Sequence, residues 1–111
     1  MAEPPHPGLD AAIAALWGDA QPRALARVET LEAAVAALRD GTLGADAADA
    51  ATRDAHKLAG TLGTFGMPAG TRHARAVERR LAEGAAPGDA EQLAGEVAAL
   101  RAVVEAGPGA A

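Results

Sequence analysis

Alanine sets the terms for this sequence: it supplies 33 of the 111 residues. Its methyl loses no rotamers on folding and hides no polar group, which makes it the strongest helix former. Valine is the chief β-branched residue, and nowhere does it alternate with polar residues as a strand requires. Half of the chain is apolar, yet Trp17 and Phe65 are its only aromatics. A chain of this length closes one core and has no room for a second lobe. The expectation is a single all-α domain.

Several chemistries fall away at once. There is no cysteine, hence no disulfide framework and no thiolate ligand or nucleophile. There is no serine either, so Ser-His-Asp and Cys-His catalysis are both excluded. The opening MAEPPHPG lacks the basic and apolar regions of a signal peptide, and no apolar run approaches the ~18 residues of a membrane span. A cytoplasmic protein is expected, with no membrane partner. Formal charge is −5, but Arg53 to Arg80 holds six bases against two acids. An acidic protein with one basic segment is not a general nucleic-acid binder. Such a segment suits docking on an acidic partner.

Stop signals divide the chain. Residues 1–8, with Pro4, Pro5, Pro7 and Gly8, read as a flexible tail. A short extra helix is expected from about Leu9 to Trp17, ending at Gly18. A first long helix then starts near Pro22, carries Leu25, Val28, Leu31, Val35 and Leu38 inward, and stops at Gly41. The second runs from about Asp46 to Phe65 on a stripe of Ala48, Ala51, Ala55, Leu58, Leu62 and Phe65, closed by Gly66 and Pro68. The third spans about Pro68 to Glu83 around Ala74, Val77 and Leu81. Asp89 and Gln92 form a capping box for the fourth, which points Leu93, Val97, Leu100 and Val104 inward. Gly107-Pro108 ends it, and 107–111 reads as a second tail. Loops this short favour antiparallel neighbours. Residues 9–106 are therefore expected to fold as an antiparallel up-down four-helix bundle.

On a helical wheel His56 lies roughly 100° from the inward stripe of the second helix. Thr52 and Arg53 sit one turn below it, Ala59 and Gly60 one turn above, then Gly63. An exposed face would ordinarily carry Glu, Lys or Gln there. Each mid-helix glycine costs about 0.5–1 kcal/mol relative to alanine, and this chain had alanine in plenty. A local rule broken without local gain points to function. The strip reads either as room for a partner to approach the ring or as a close helix–helix contact. His6 falls in the tail, and His73 reads as a solvated residue. Three histidines so spaced make no metal site. Gly60, Gly63 and Gly66 follow no strand and form no phosphate loop, so no ATP site is expected.

The run Ala55-His56-Lys57-Leu58-Ala59-Gly60-Thr61-Leu62-Gly63-Thr64-Phe65-Gly66 resembles the signature of histidine phosphotransfer (HPt) domains, including the phosphoacceptor domain of chemotaxis kinases. That signature is Ala-His, an aliphatic residue two after the histidine, and glycines four and ten after it. The aliphatic-Glu pair late in the family's third helix corresponds to Val77-Glu78, and Leu16-Trp17 looks like its lead-in. The resemblance spans about 9–105.

It implies that His56 is the phosphoacceptor, through its solvent-facing ring nitrogen, with Glu78 a polar partner. A phosphoryl group would come from a receiver-domain aspartate or a kinase and pass to another receiver aspartate. The chain would be a carrier, not an enzyme, and would hold no cofactor of its own; magnesium is expected on the receiver. Its partners would be response-regulator receivers and a hybrid sensor kinase, and it would act as a monomer. Gly60, Gly63, Ala59 and Thr52 would form the docking surface. One departure stands out. Most members carry lysine three residues after the histidine, where this chain has Ala59. Arg53, Lys57 and Arg75 are the expected electrostatic substitutes. Two other readings stay open: a degenerate bundle that binds a receiver or dimerises without transfer, and the dimerisation helices of a sensor kinase. Lys57 after the histidine, where those helices place an acid, speaks against the second.

Overall fold

Alanine-rich amphipathic segments punctuated by glycine fold here into a ring of helices. The computed structural model describes residues 7–109, with α1 over Pro7–Arg39, α2 over Ala45–Thr64, α3 over Pro68–Ala82 and α4 over Ala90–Ala106. One 3₁₀ turn, Pro87–Asp89, leads into α4. Each helix packs on two neighbours, in the order α1, α2, α3, α4 and back to α1, and among the described residues the backbones of the diagonal pairs do not approach one another closely. Arg39 of α1 meets Glu91 of α4, while Gln21 meets Val104, so these two helices run antiparallel. The expected up-down four-helix bundle is what forms. Its centre is aliphatic: Val28, Leu31, Leu58, Leu62, Val77, Leu93, Leu100 and Val104 are fully enclosed.

The expected break between a short helix and a first long helix is absent. α1 is continuous through Gly18 and Pro22 for 33 residues, about 50 Å at 1.5 Å per residue. Proline removes the bond to the Gly18 carbonyl and its ring presses on that turn. Tertiary packing carries the helix across. Trp17 and Ala24 are buried on either side, and Gln21 Nε2 donates to the carbonyls of Val104 and Glu105 at 3.0 and 3.3 Å. Those carbonyls belong to the last turn of α4, where no helical partner exists. The same contact therefore ends one helix and sustains another.

Four further expectations change. Pro7 and Gly8, assigned to the tail, already belong to α1, while residues 1–6, including His6, lie outside the described residues, as do 110 and 111. At the other end Gly107 is buried against Trp17: a Cβ there would stand 2.8 Å from the indole Nε1. Asp89 does not cap α4 through its side chain; its Oδ2 accepts the Ala86 N–H at 2.8 Å and closes the 3₁₀ turn instead. Phe65 is only half-buried and meets Trp17 edge-on at 5.1 Å.

Candidate functional site

α2 and α3 form the hairpin that builds the site. α2 ends on a Schellman turn: Met67 N–H donates to the Leu62 carbonyl at 2.8 Å and Gly66 N–H to that of Gly63 at 3.1 Å. Gly66 has φ +70°, a conformation that side chains resist. The signature's last glycine is thus a structural one. Pro68 then opens α3, with Met67 buried beneath the turn. Gly70 seats α3 closely: a Cβ there would lie 2.7 Å from Leu62 Cδ1 and 2.9 Å from Val103 Cγ1. Thr71 Oγ1 donates to the Ala59 carbonyl at 3.1 Å and ties the two helices together.

This hairpin sets His56 opposite Glu78. The His56 side chain is 75% exposed, and its Nδ1 lies 2.8 Å from Glu78 Oε2. With a proton on Nδ1 donated to the carboxylate, Nε2 carries the free lone pair. In that tautomer the hydrogen bond fixes the ring's orientation and leaves Nε2 as its acceptor atom.

Open hollows flank the ring on both sides. One, of about 330 Å³, is lined by Thr52, Arg53, His56, Lys57 and Glu78. The other, of about 450 Å³, is lined by His56, Ala59, Gly60, Arg75, Glu78, Arg79 and Ala82. Gly60 is exposed, and a Cβ on it would meet nothing within 4 Å. Gly63 is exposed too, its Cβ position 3.6 Å from Thr71 Oγ1, an ordinary contact. The bare strip is therefore open surface; the close helix contact belongs to Gly70, which sequence reading passed over. Ala59 differs from its expected place. It is only 4% exposed and forms the floor of the larger hollow, not a docking surface of its own. Thr52 is half-buried and its hydroxyl is spent on the Ala48 carbonyl at 2.8 Å.

The cations divide by position. Arg27, Arg39, Arg80 and Arg101 each meet a carboxylate. Among the described residues the other six meet none: Arg53, Lys57, Arg75 and Arg79 line the hollows beside His56, while Arg72 lines a separate hollow at the α2–α3 turn and Arg23 lies on α1. Arg79 was expected only as one of the six bases between Arg53 and Arg80, with no role at the histidine; its signal was the i, i+4 spacing from Arg75 on either side of Glu78. His73 is not simply solvated: its side chain is 34% exposed and its Nδ1 lies 2.6 Å from Glu96 Oε2. Among the described residues no three His, Cys, Asp or Glu side chains could share a metal ion, and no helix is long and apolar enough to cross a membrane.

The described residues thus form a four-helix bundle that presents an exposed histidine, held by a carboxylate, between hollows lined by basic side chains. The chain matches the family model of the Hpt domain over residues 15–106 and belongs to that family. Hpt domains are the histidine phosphotransfer modules of two-component phosphorelays, carriers that work with receiver domains and kinases. Neither the curated proteins nor the solved structures compared with it give a match.

Proposed function

We propose that this chain is a phosphorelay intermediate in which His56 accepts a phosphoryl group from a receiver aspartate, or from a kinase, and passes it to a second receiver aspartate. One observation carries the reading: the His56 side chain is 75% exposed with its Nδ1 2.8 Å from Glu78 Oε2, an arrangement that, with the proton on Nδ1, leaves the Nε2 lone pair available. Glu78 orients the ring, and the open surface at Gly60 and Gly63 admits a partner close to it. Arg53, Lys57 and Arg75 supply positive potential for a group that arrives with negative charge. Catalysis on this side of the transfer is positioning and charge neutralisation, while the receiver brings its aspartate and magnesium. A hybrid sensor kinase and response regulators are the partners that fit.

The test is incubation with a phosphorylated receiver, followed by a search for acid-labile, base-stable phosphate on this chain. Transfer of label to wild type and none to His56→Gln is the expected result. A chain that binds the receiver but takes no label is a docking module, and the proposal falls.

A further inference from the structure

The larger hollow beside His56 has an unusual construction. Its floor is Ala59, Gly60 and Ala82, which together offer no side chain larger than a methyl. Its only long polar side chains besides His56 and Glu78 are Arg75 and Arg79, both exposed and, among the described residues, without a carboxylate partner. Arg75, Glu78, Arg79 and Ala82 follow one another at i, i+3, i+4 and i+7, a single ridge of α3. The glutamate that holds the ring is therefore bracketed by two guanidinium groups on its own helix. On the α2 side the position one turn after His56 is a buried alanine, so α2 contributes no cation to this hollow.

Resting on the reading of His56 as phosphoacceptor, we infer that Arg75 and Arg79 grip the phosphoryl oxygens in this hollow, so that α3 supplies the charge that α2 lacks at Ala59. Guanidinium groups suit the task, because their planar donor forks pair with phosphate oxygens two at a time. Arg53 and Lys57 lie in the other hollow and act earlier, attracting an acidic partner over distance.

The Nε2 lone pair forms the N–P bond as the P–O bond to the receiver aspartate breaks, and that electron pair returns to the carboxylate. The Nδ1 proton stays on the ring, directed at Glu78, and no proton leaves. Three phosphoryl oxygens keep their negative charge throughout, and Arg75 and Arg79 face them.

The experiment is single-turnover transfer from a phosphorylated receiver at saturating concentration, repeated with phosphoramidate, a donor too small to need a docking surface. Arg75→Gln with Arg79→Gln should slow both by about 10- to 100-fold, the worth of one charge-assisted contact. Ala59→Lys added to that double variant places a cation in the same hollow from the other helix and should recover most of the rate. Arg53→Ala with Lys57→Ala should instead lower the second-order rate at low receiver concentration and flatten its salt dependence, with a smaller change at saturation. If the Arg75/Arg79 variant transfers at the wild-type rate, the inference fails. It fails equally if Ala59→Lys leaves that variant slow, or if phosphoramidate uptake is untouched, since the arginines then serve only docking. Absence of label on the wild-type chain is a different failure, that of His56 as acceptor.

Discussion

His56 on α2 and His73 on α3 each hold a glutamate of the following helix through Nδ1, at 2.8 and 2.6 Å. The pairs are almost superimposable in the sequence as well, with Glu78 and Glu96 lying 22 and 23 residues on. Their surroundings part company. His56 is 75% exposed above a floor of alanine and glycine, with four cations around it that meet no carboxylate among the described residues. His73 is less than half as exposed, on the face that α3 turns toward α4. A carboxylate on Nδ1 thus does not by itself distinguish the histidine proposed as phosphoacceptor from one that fastens two helices. What distinguishes them is the space that neighbouring residues leave open.

The comparison breaks most sharply at the histidines themselves. His56→Gln should abolish phosphoryl uptake and change stability by less than about 0.5 kcal/mol, since the side chain stands in solvent. His73→Gln should leave uptake intact. Labelling both variants with a phosphorylated receiver decides it, and loss of uptake in His73→Gln would erase the distinction between the two histidines.

The glutamates come next. Removing the ring's anchor by Glu78→Ala should slow transfer about 10- to 100-fold, because a hydrogen bond to a charged group is worth about 1.5–3 kcal/mol. Glu96→Ala should leave the transfer rate alone and lower stability by about 1 kcal/mol, measured by urea titration. A Glu96 variant that transfers slowly would make the second pair part of the site.

Glycines refine the contrast between open surface and fastened seam. Gly70→Ala drives a methyl into Leu62 and Val103 and should destabilise the fold by about 1–3 kcal/mol. Gly60→Ala meets open space and should stabilise α2 by about 0.5–1 kcal/mol. Gly63→Gln should raise stability by several tenths of a kcal/mol while weakening receiver docking, because the new side chain covers the strip beside His56. Thermal melts of the three should shift in opposite senses, and a lower melting temperature for Gly63→Gln would mean that the strip is packed after all.

The smallest effect concerns a paired arginine. Hydrogen bonding from Arg101 holds the Glu32 carboxyl below the usual carboxylate range. A lowered folded-state pKa gives stability that is present above the unfolded pKa and lost as pH falls through the folded one. Glu32→Gln should therefore melt slightly below wild type at neutral pH, and the gap should close on acidification. A gap independent of pH would show that the pair contributes packing alone.

Much of this was legible in the residues. The stripes of α2, α3 and α4 follow helical periodicity, and Gly41, Gly66, Gly84 and Gly107 mark the ends. His56 stood out because a histidine over glycines breaks a local rule, whereas Glu78 was reached only through the resemblance of Val77-Glu78 to the family's aliphatic-Glu pair. Pro22 was misread because its local signal is that of a helix start. The contacts that override it come from Gln21 and Trp17 meeting α4 some 80 residues away. Gly60 and Gly70 carry the same intrinsic cost, and only the neighbours across the helix seam tell them apart. Arg79 and the His73–Glu96 pair were hidden for the same reason: their meaning lies in which helix stands opposite.

The bond between His56 and Glu78 has a consequence for the direction of traffic. A carrier must be as good a leaving group as it is a nucleophile, or it becomes a dead end. In the proposed transfer the carboxylate of Glu78 faces a ring that gains positive charge on accepting phosphorus and returns to neutrality on releasing it. The same proton stays on Nδ1 in both passages, so neither requires a base or an acid to arrive from water. Glu78 thereby keeps the forward and reverse barriers tied to one another. Which way the phosphoryl group moves is left to the relative free energies of the two aspartates it travels between.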